Sequence, residues 1–120
     1  MRRMEGLWRL RMEGRMNYLI HENELSDFMT QRELLIFDLR DGNAYRKYHL
    51  DGAINVPVEK FGELKKTLPR RKKVLLYCEH GNDSLRETIM LRKRGYWVYT
   101  LVGGISILHR NQIDSVSGKR

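Results

Sequence analysis

The chain has 120 residues, 41% apolar and 32% charged, and a formal net charge of +8 from 23 Lys and Arg against 15 Asp and Glu. That length fits one domain with its own core and leaves little room for a second. One cysteine, Cys78, excludes an intrachain disulfide and a Cys-rich zinc site, and no apolar stretch is long enough for a membrane span.

Arg2 and Arg3 are not followed by a continuous apolar region, because Gly6, Arg9, Arg11 and Glu13 interrupt it. No secretory leader is expected, and the default location is the cytoplasm. The positive balance suits anionic partners, from small oxyanions to RNA. Yet the basic residues are scattered or in short runs such as Arg70-Arg71-Lys72-Lys73 and Arg92-Lys93-Arg94, with no interleaved aromatics. A solvated basic surface is therefore preferred, and nucleic acid is not expected as a partner.

Residues 1–17 read as a basic extension. Leu7, Trp8 and Leu10 form at best a weak apolar face, which Gly6 and Gly14 undermine. A disordered tail, or a start codon assigned too early with Met12 or Met16 as the true start, is preferred over a functional segment. The domain proper spans 18–110, and 111–120 form a tail.

Strand and helix patterns alternate from Tyr18 onward. Tyr18-Leu19-Ile20 is a short strand, and Asn23 or Ser26 starts a helix towards Gln31. Leu34-Leu35-Ile36-Phe37, ending at Asp38, is a continuous apolar run of the kind buried on both faces of a parallel sheet. A short helix over Ala44–Tyr48 leads to a strand at Ala53-Ile54-Asn55-Val56, closed by Pro57. Glu59 to Thr67 is helical, with Pro69 marking its exit. Val74-Leu75-Leu76-Tyr77 is the second buried strand, and Ser84 to Arg94 is the clearest helix. Trp97 to Leu101 is the last strand, before Gly103-Gly104 and a short terminal helix. This alternation predicts an α/β fold with a parallel sheet covered on both faces. Ligands in such folds sit beyond the carboxyl ends of the strands, where Asp38 and Cys78 fall.

Cys78 opens a tight loop, Cys78-Glu79-His80-Gly81-Asn82-Asp83-Ser84. Gly81 and Asn82 tolerate unusual backbone angles, and Ser84 with Glu87 fits a capping box for the next helix. Loop N–H groups and a helix N-terminus converging on one point favour an anion there, whether a thiolate or a terminal persulfide sulfur. By position alone, a buried structural cysteine is an equal reading. Strand, cysteine, glycine loop and capped helix together favour chemistry. His80 is a candidate acid, base or anion contact, although a solvent-exposed role is slightly preferred, and Glu79 is expected to be solvated. His21, His49, His80 and His109 are too widely separated to suggest a metal site.

Four segments, in order, resemble the rhodanese-like family. Ile36-Phe37-Asp38-Leu39-Arg40 is similar to its strand ending in Asp-x-Arg. Tyr45 with His49-Leu50-Asp51-Gly52-Ala53-Ile54-Asn55-Val56-Pro57 is similar to its second motif. Tyr77 to Ser84 is similar to its active-site loop, and Gly95-Tyr96 with Leu101-Val102-Gly103-Gly104-Ile105 to its closing strand and glycine pair. The resemblance implies a three-layer α/β sandwich on a mainly parallel five-stranded sheet, and a sulfurtransferase that needs no cofactor. It makes Cys78 the nucleophile that accepts a sulfane sulfur from a small donor anion or a protein persulfide and passes it to a thiol or cyanide. Glu79, His80, Gly81, Asn82, Asp83 and Ser84 would surround the persulfide. Asp38 and Arg40 would act as a supporting ion pair rather than in catalysis.

Some positions depart from the family pattern. Asp83 stands where the loop often has Arg, which puts thiosulfate use in doubt, and Arg86, one turn on, either compensates or points to solvent. Tyr48 replaces a common glycine, and Ile107 and Leu108 lie where an aromatic residue often follows the glycine pair. The related phosphatases need Arg six positions after the cysteine, where this chain has Ser84, so phosphoryl transfer is disfavoured. The alternative to a sulfurtransferase is a catalytically weak binding, regulatory or redox-sensing module.

Overall fold

The two continuous apolar runs become neighbouring central strands of a parallel sheet. The computed structural model of the chain describes residues 18–108. Its strands are β1 (Leu19–Ile20), β2 (Leu35–Asp38), β3 (Ile54–Asn55), β4 (Val74–Tyr77) and β5 (Val98–Leu101). They lie in the order β1-β5-β4-β2-β3, and every pairing is parallel. Between them run α1 (Glu22–Phe28), α2 (Gly42–Lys47), α3 (Val58–Leu64, extended by a 3-10 turn at Lys65–Thr67) and α4 (Asn82–Lys93), and a 3-10 turn at Ile105–Leu108 follows β5. The expected α/β sandwich on a five-stranded sheet is the observed fold. The basic extension at 1–17, the tail at 111–120 and His109 lie outside the described residues.

Side chains alternate across the pleat. Leu75 and Tyr77 join one apolar cluster with Leu25 of α1, Leu50, Leu101 and Ile105. Val74, Leu76 and Cys78 join the other, with Phe61 of α3, Leu91 of α4 and Val98. All four β4 residues are buried, which is why the strand reads as uninterrupted apolar sequence. Burial of each such leucine contributes about 1.5–3 kcal/mol. The same alternation positions the site. Cys78, one step past the strand, leaves on the face of α3 and α4, while Tyr77 faces the other way beside its register partner Asp38.

Element starts differ where capping chemistry differs. The main-chain N–H of His21 donates to Glu24 Oε1 at 2.8 Å, so α1 starts at Glu22 rather than at Asn23 or Ser26. It ends at Phe28, where Thr30 Oγ1 and Gln31 Nε2 donate back to the carbonyls of Asp27 and Phe28. Asp41 Oδ1 accepts from the Ala44 N–H at 2.9 Å and starts α2 at Gly42. The largest difference is in α4. The Ser84–Glu87 capping box does not form. Gly81, at φ +97°, is the cap, and α4 begins at Asn82. Ser84 is thus inside the first turn, and Glu87 pairs with Lys65 at 2.9 Å.

Candidate active site

Cys78 sits at the carboxyl end of β4, 6% exposed. Its Sγ accepts from the Gly81 N–H at 3.1 Å and the Ser84 N–H at 3.4 Å, and Ser84 Oγ lies 3.5 Å away. Two amide donors and the N-terminus of a 12-residue helix therefore converge on one sulfur, the arrangement that stabilises an anion there. Ser84 is fully buried, with Oγ 2.8 Å from Thr100 Oγ1 on β5. That contact fixes the floor of the cradle.

The loop is clamped from behind by backbone. The Ile105 and Ser106 N–H groups donate to the carbonyls of Cys78 and Glu79, each at 3.0 Å. So close an approach requires glycine at 104. Its φ is +73°, and a Cβ there would collide with the Glu79 and Cys78 carbonyl oxygens. The glycine pair is thus the seat of the cysteine loop.

Behind the β2 end lies a buried polar network. Asp38 is fully buried and accepts from the Arg40 backbone N–H at 2.9 Å, from Arg40 Nε at 3.0 Å and Nη2 at 2.8 Å, and from the Tyr77 hydroxyl at 2.7 Å. Arg40 also donates to the Tyr48 carbonyl at 2.7 Å and to Glu79 Oε1 at 3.3 Å. Asn55 Nδ2 donates to the carbonyls of Asp38 and Arg40 at 3.1 and 2.8 Å. Burial opposes the Arg40 charge, but Asp38 outweighs it and raises the guanidinium above its usual range. Burial first, and then the negative charge of Asp38, push the Tyr77 phenol well above its usual range.

Cys78 opens into a cleft of about 510 Å³ whose lining includes Arg40, Asp41, Glu59, Glu79 and Asp83. Asn82 and the exposed His80 complete the rim beside the thiol. Among the expected site residues, Glu79 departs from expectation. It is ion-paired with Arg40 rather than merely solvated. Arg86 lies outside the cleft lining, with its side chain 57% exposed and donating to Asp83 Oδ1 at 2.7 Å. That bond, and the charge behind it, raises the Arg86 guanidinium. Arg86 pairs with Asp83 at the surface and does not itself line the cleft beside the thiol. Tyr48, at the position where glycine is common, sets its ring 5.1 Å from the Arg40 guanidinium carbon. Tyr77 and Asn55 lie in the motifs read from the sequence without a role of their own there, while Thr100, Asp41 and Glu59 lie outside those motifs. A tyrosine ending an otherwise aliphatic strand and a polar Thr in a buried one were the available signals.

Fold and cradle together define an α/β domain that holds a single cysteine at the carboxyl edge of a parallel sheet. The chain belongs to the rhodanese-like domain family, whose pattern matches residues 21–110. It is 32% identical over 82 residues to a thiosulfate sulfurtransferase, GlpE, of Coxiella burnetii, a match covering 68% of this chain and 77% of that one. It is 40% identical over 67 residues to a tRNA sulfurtransferase of Pyrobaculum aerophilum, covering 56% of this chain but 14% of that larger protein. A crystal structure of a rhodanese-related protein from Thermoplasma volcanium superposes with a TM-score of 0.69 at 25% identity, covering 78% of this chain and 91% of that one. No helix among the described residues is long and apolar enough to cross a membrane.

Proposed function

We propose that the chain is a sulfurtransferase that carries a sulfane sulfur as a persulfide on Cys78. The observation that carries this reading is the pair of amide donors, Gly81 and Ser84, aimed at Sγ at the head of α4. In the first half-reaction the Cys78 thiolate attacks the outer sulfur of the donor. The new S–S bond forms as the donor's bond to that sulfur breaks, and sulfite (from thiosulfate), a polysulfide one sulfur shorter (from a polysulfide) or a thiolate (from a protein persulfide) leaves with the electron pair. In the second, cyanide or a thiolate attacks the outer sulfur, and the Cys78 thiolate departs. The cradle then serves a leaving group and a nucleophile in turn, and the cleft gives the added sulfur room. Asp38 and Arg40 act as framework that holds the β2 loop beside the cleft. A reducing, cytoplasmic setting suits a free thiol. The names of the curated relatives support the reaction class.

Intact mass after incubation with thiosulfate, and separately with polysulfide, tests the reading. The expected result is a gain of one sulfur that cyanide removes, absent in Cys78→Ser. Folded protein with a titratable thiol that gains no sulfur from any donor would instead favour a binding or redox-sensing module, the reading that the negative charge of Asp83 supports.

A further inference from the structure

The chain is basic overall, but its cleft is not. Basic residues gather at the opposite end of the sheet, where Arg32, Arg71, Lys72 and Lys73 border one depression with the exposed Trp97. Around the thiol the lining presents, among the described residues, four carboxylates, Asp41, Glu59, Glu79 and Asp83. Among the described residues, the one permanent cation in that lining is Arg40. It is committed to both oxygens of Asp38 and to Glu79, with its side chain 4% exposed. Arg86 is turned outward and tied to Asp83. The carboxylates do not form a cation-binding cluster, since no group of three ligating side chains among the described residues could hold a metal. Among the described residues, a donor approaching Sγ therefore passes an acidic rim and meets no uncommitted cation, and the two cradle N–H groups already face the sulfur. Such a mouth repels a dianion and concentrates a cation.

We infer that this site, on the sulfur-transfer reading above, draws its sulfur from a persulfide that carries positive charge beside the sulfur, and discriminates against thiosulfate. The shared chemistry is an ammonium or guanidinium within a few bonds of an R–S–SH group, on a small aminothiol or on a protein cysteine flanked by Lys or Arg. The Cys78 thiolate attacks the outer sulfur, the Cys78–S bond forms as the R–S–S bond breaks, and R–S⁻ leaves with the pair. The proton on the transferred sulfur stays with it. The donor's cation then stands against the rim carboxylates while its leaving thiolate develops.

Charge preference and sulfur transfer are separable by experiment. The full chain is first treated at pH 8 with two methanethiosulfonates of similar size, one bearing trimethylammonium and one sulfonate. Rates at Cys78 are divided by those of a free small thiol. The cation-to-anion ratio should be roughly tenfold or more at low salt. It should collapse towards one at about 0.5 M salt and in an Asp83→Asn, Glu59→Gln double variant. A ratio at or below one in the unmodified chain overturns the inference. Sulfur loading is then compared for persulfidated cysteamine, a persulfidated Lys-flanked peptide and thiosulfate. Faster loading from either cationic donor, with Asp83→Arg raising the thiosulfate rate, supports it. The two cationic arms tell a small donor from a protein one. Thiosulfate loading as fast as both overturns the inference while leaving the Cys78 persulfide intact. Loading from none of the three, with the charge preference present, overturns the sulfur-transfer reading and the donor assignment with it.

Discussion

The loops after β2 and β4 leave the same edge of the sheet, from the paired residues Asp38 and Tyr77, yet different groups hold them. The β2 loop is held by side chains turned inward. Asp38 gathers Arg40 and Tyr77, and Asn55 ties two of the loop's carbonyls. The side chains of Asp38, Arg40, Tyr77 and Asn55 spend their polar groups on one another and on the loop backbone. The β4 loop is held by backbone. Its carbonyls are taken by Ile105 and Ser106, and its own amides at Gly81 and Ser84 turn towards sulfur. A loop secured through its carbonyls keeps its N–H groups for chemistry, whereas a loop secured by side chains becomes framework. The Arg40–Glu79 pair at 3.3 Å is the bridge between them.

If that division holds, damage to the β2 loop should cost stability and spare the thiol. Asp38→Asn leaves the buried Arg40 charge without its main partner and is expected to cost about 3–5 kcal/mol. The rate of Cys78 alkylation in the protein that remains folded should stay within about twofold. Urea unfolding with alkylation in parallel checks both. A collapse of alkylation in folded protein would show the two loops to be one unit. Gly104→Ala should behave differently. A methyl there drives into the Cys78 and Glu79 carbonyls, and overpacking costs roughly 1–3 kcal/mol on top of roughly 1 kcal/mol for a left-handed backbone. The displaced loop should also lose its aim, with alkylation slowed by roughly tenfold, since the Gly81 and Ser84 donors move with it.

Much of this was legible because the chemistry is local. The sequence runs 34–37 and 74–77, which supply β2 and β4, are apolar on both faces, so their burial shows as uninterrupted runs, with Asp38 and Cys78 next after them. Helix starts were harder. Ser84 offers an acceptable cap, but a left-handed Gly81 caps α4 three residues earlier, which turns the N–H groups of residues 81 and 84 towards the sulfur. Asp41 and Glu59 belong to the cleft only because α2 and α3 start beside the cysteine loop, a juxtaposition no local pattern records. Thr100 was hidden likewise, since it meets Ser84 across the gap between β5 and α4. By sequence Arg86 is the candidate replacement for the missing loop cation, but its helical spacing of three from Asp83 pairs those two instead.

The smallest effect tests the edge of the network. Tyr77→Phe removes a hydroxyl that donates to Asp38 and accepts from the buried Leu50 N–H at 3.0 Å. Arg40 keeps its bonds to Asp38, so no charge is stranded, and the expected cost is about 1–2 kcal/mol, mostly from the orphaned Leu50 amide. Its pH dependence has a sign. Burial and Asp38 raise the folded phenol above the unfolded value of about 10, so the stabilising neutral form is fully populated below that pH. Above it the unfolded tyrosine ionises while the folded one does not, and the contribution falls. The stability gap between the unmodified chain and Tyr77→Phe should therefore be constant from about pH 6 to 9 and narrow above about 10, as read by urea midpoints, with Cys78 alkylation unchanged in the working range. A gap that persists unchanged at high pH would remove the neutral phenol from the network and leave the β2 loop to Asp38, Arg40 and Asn55 alone.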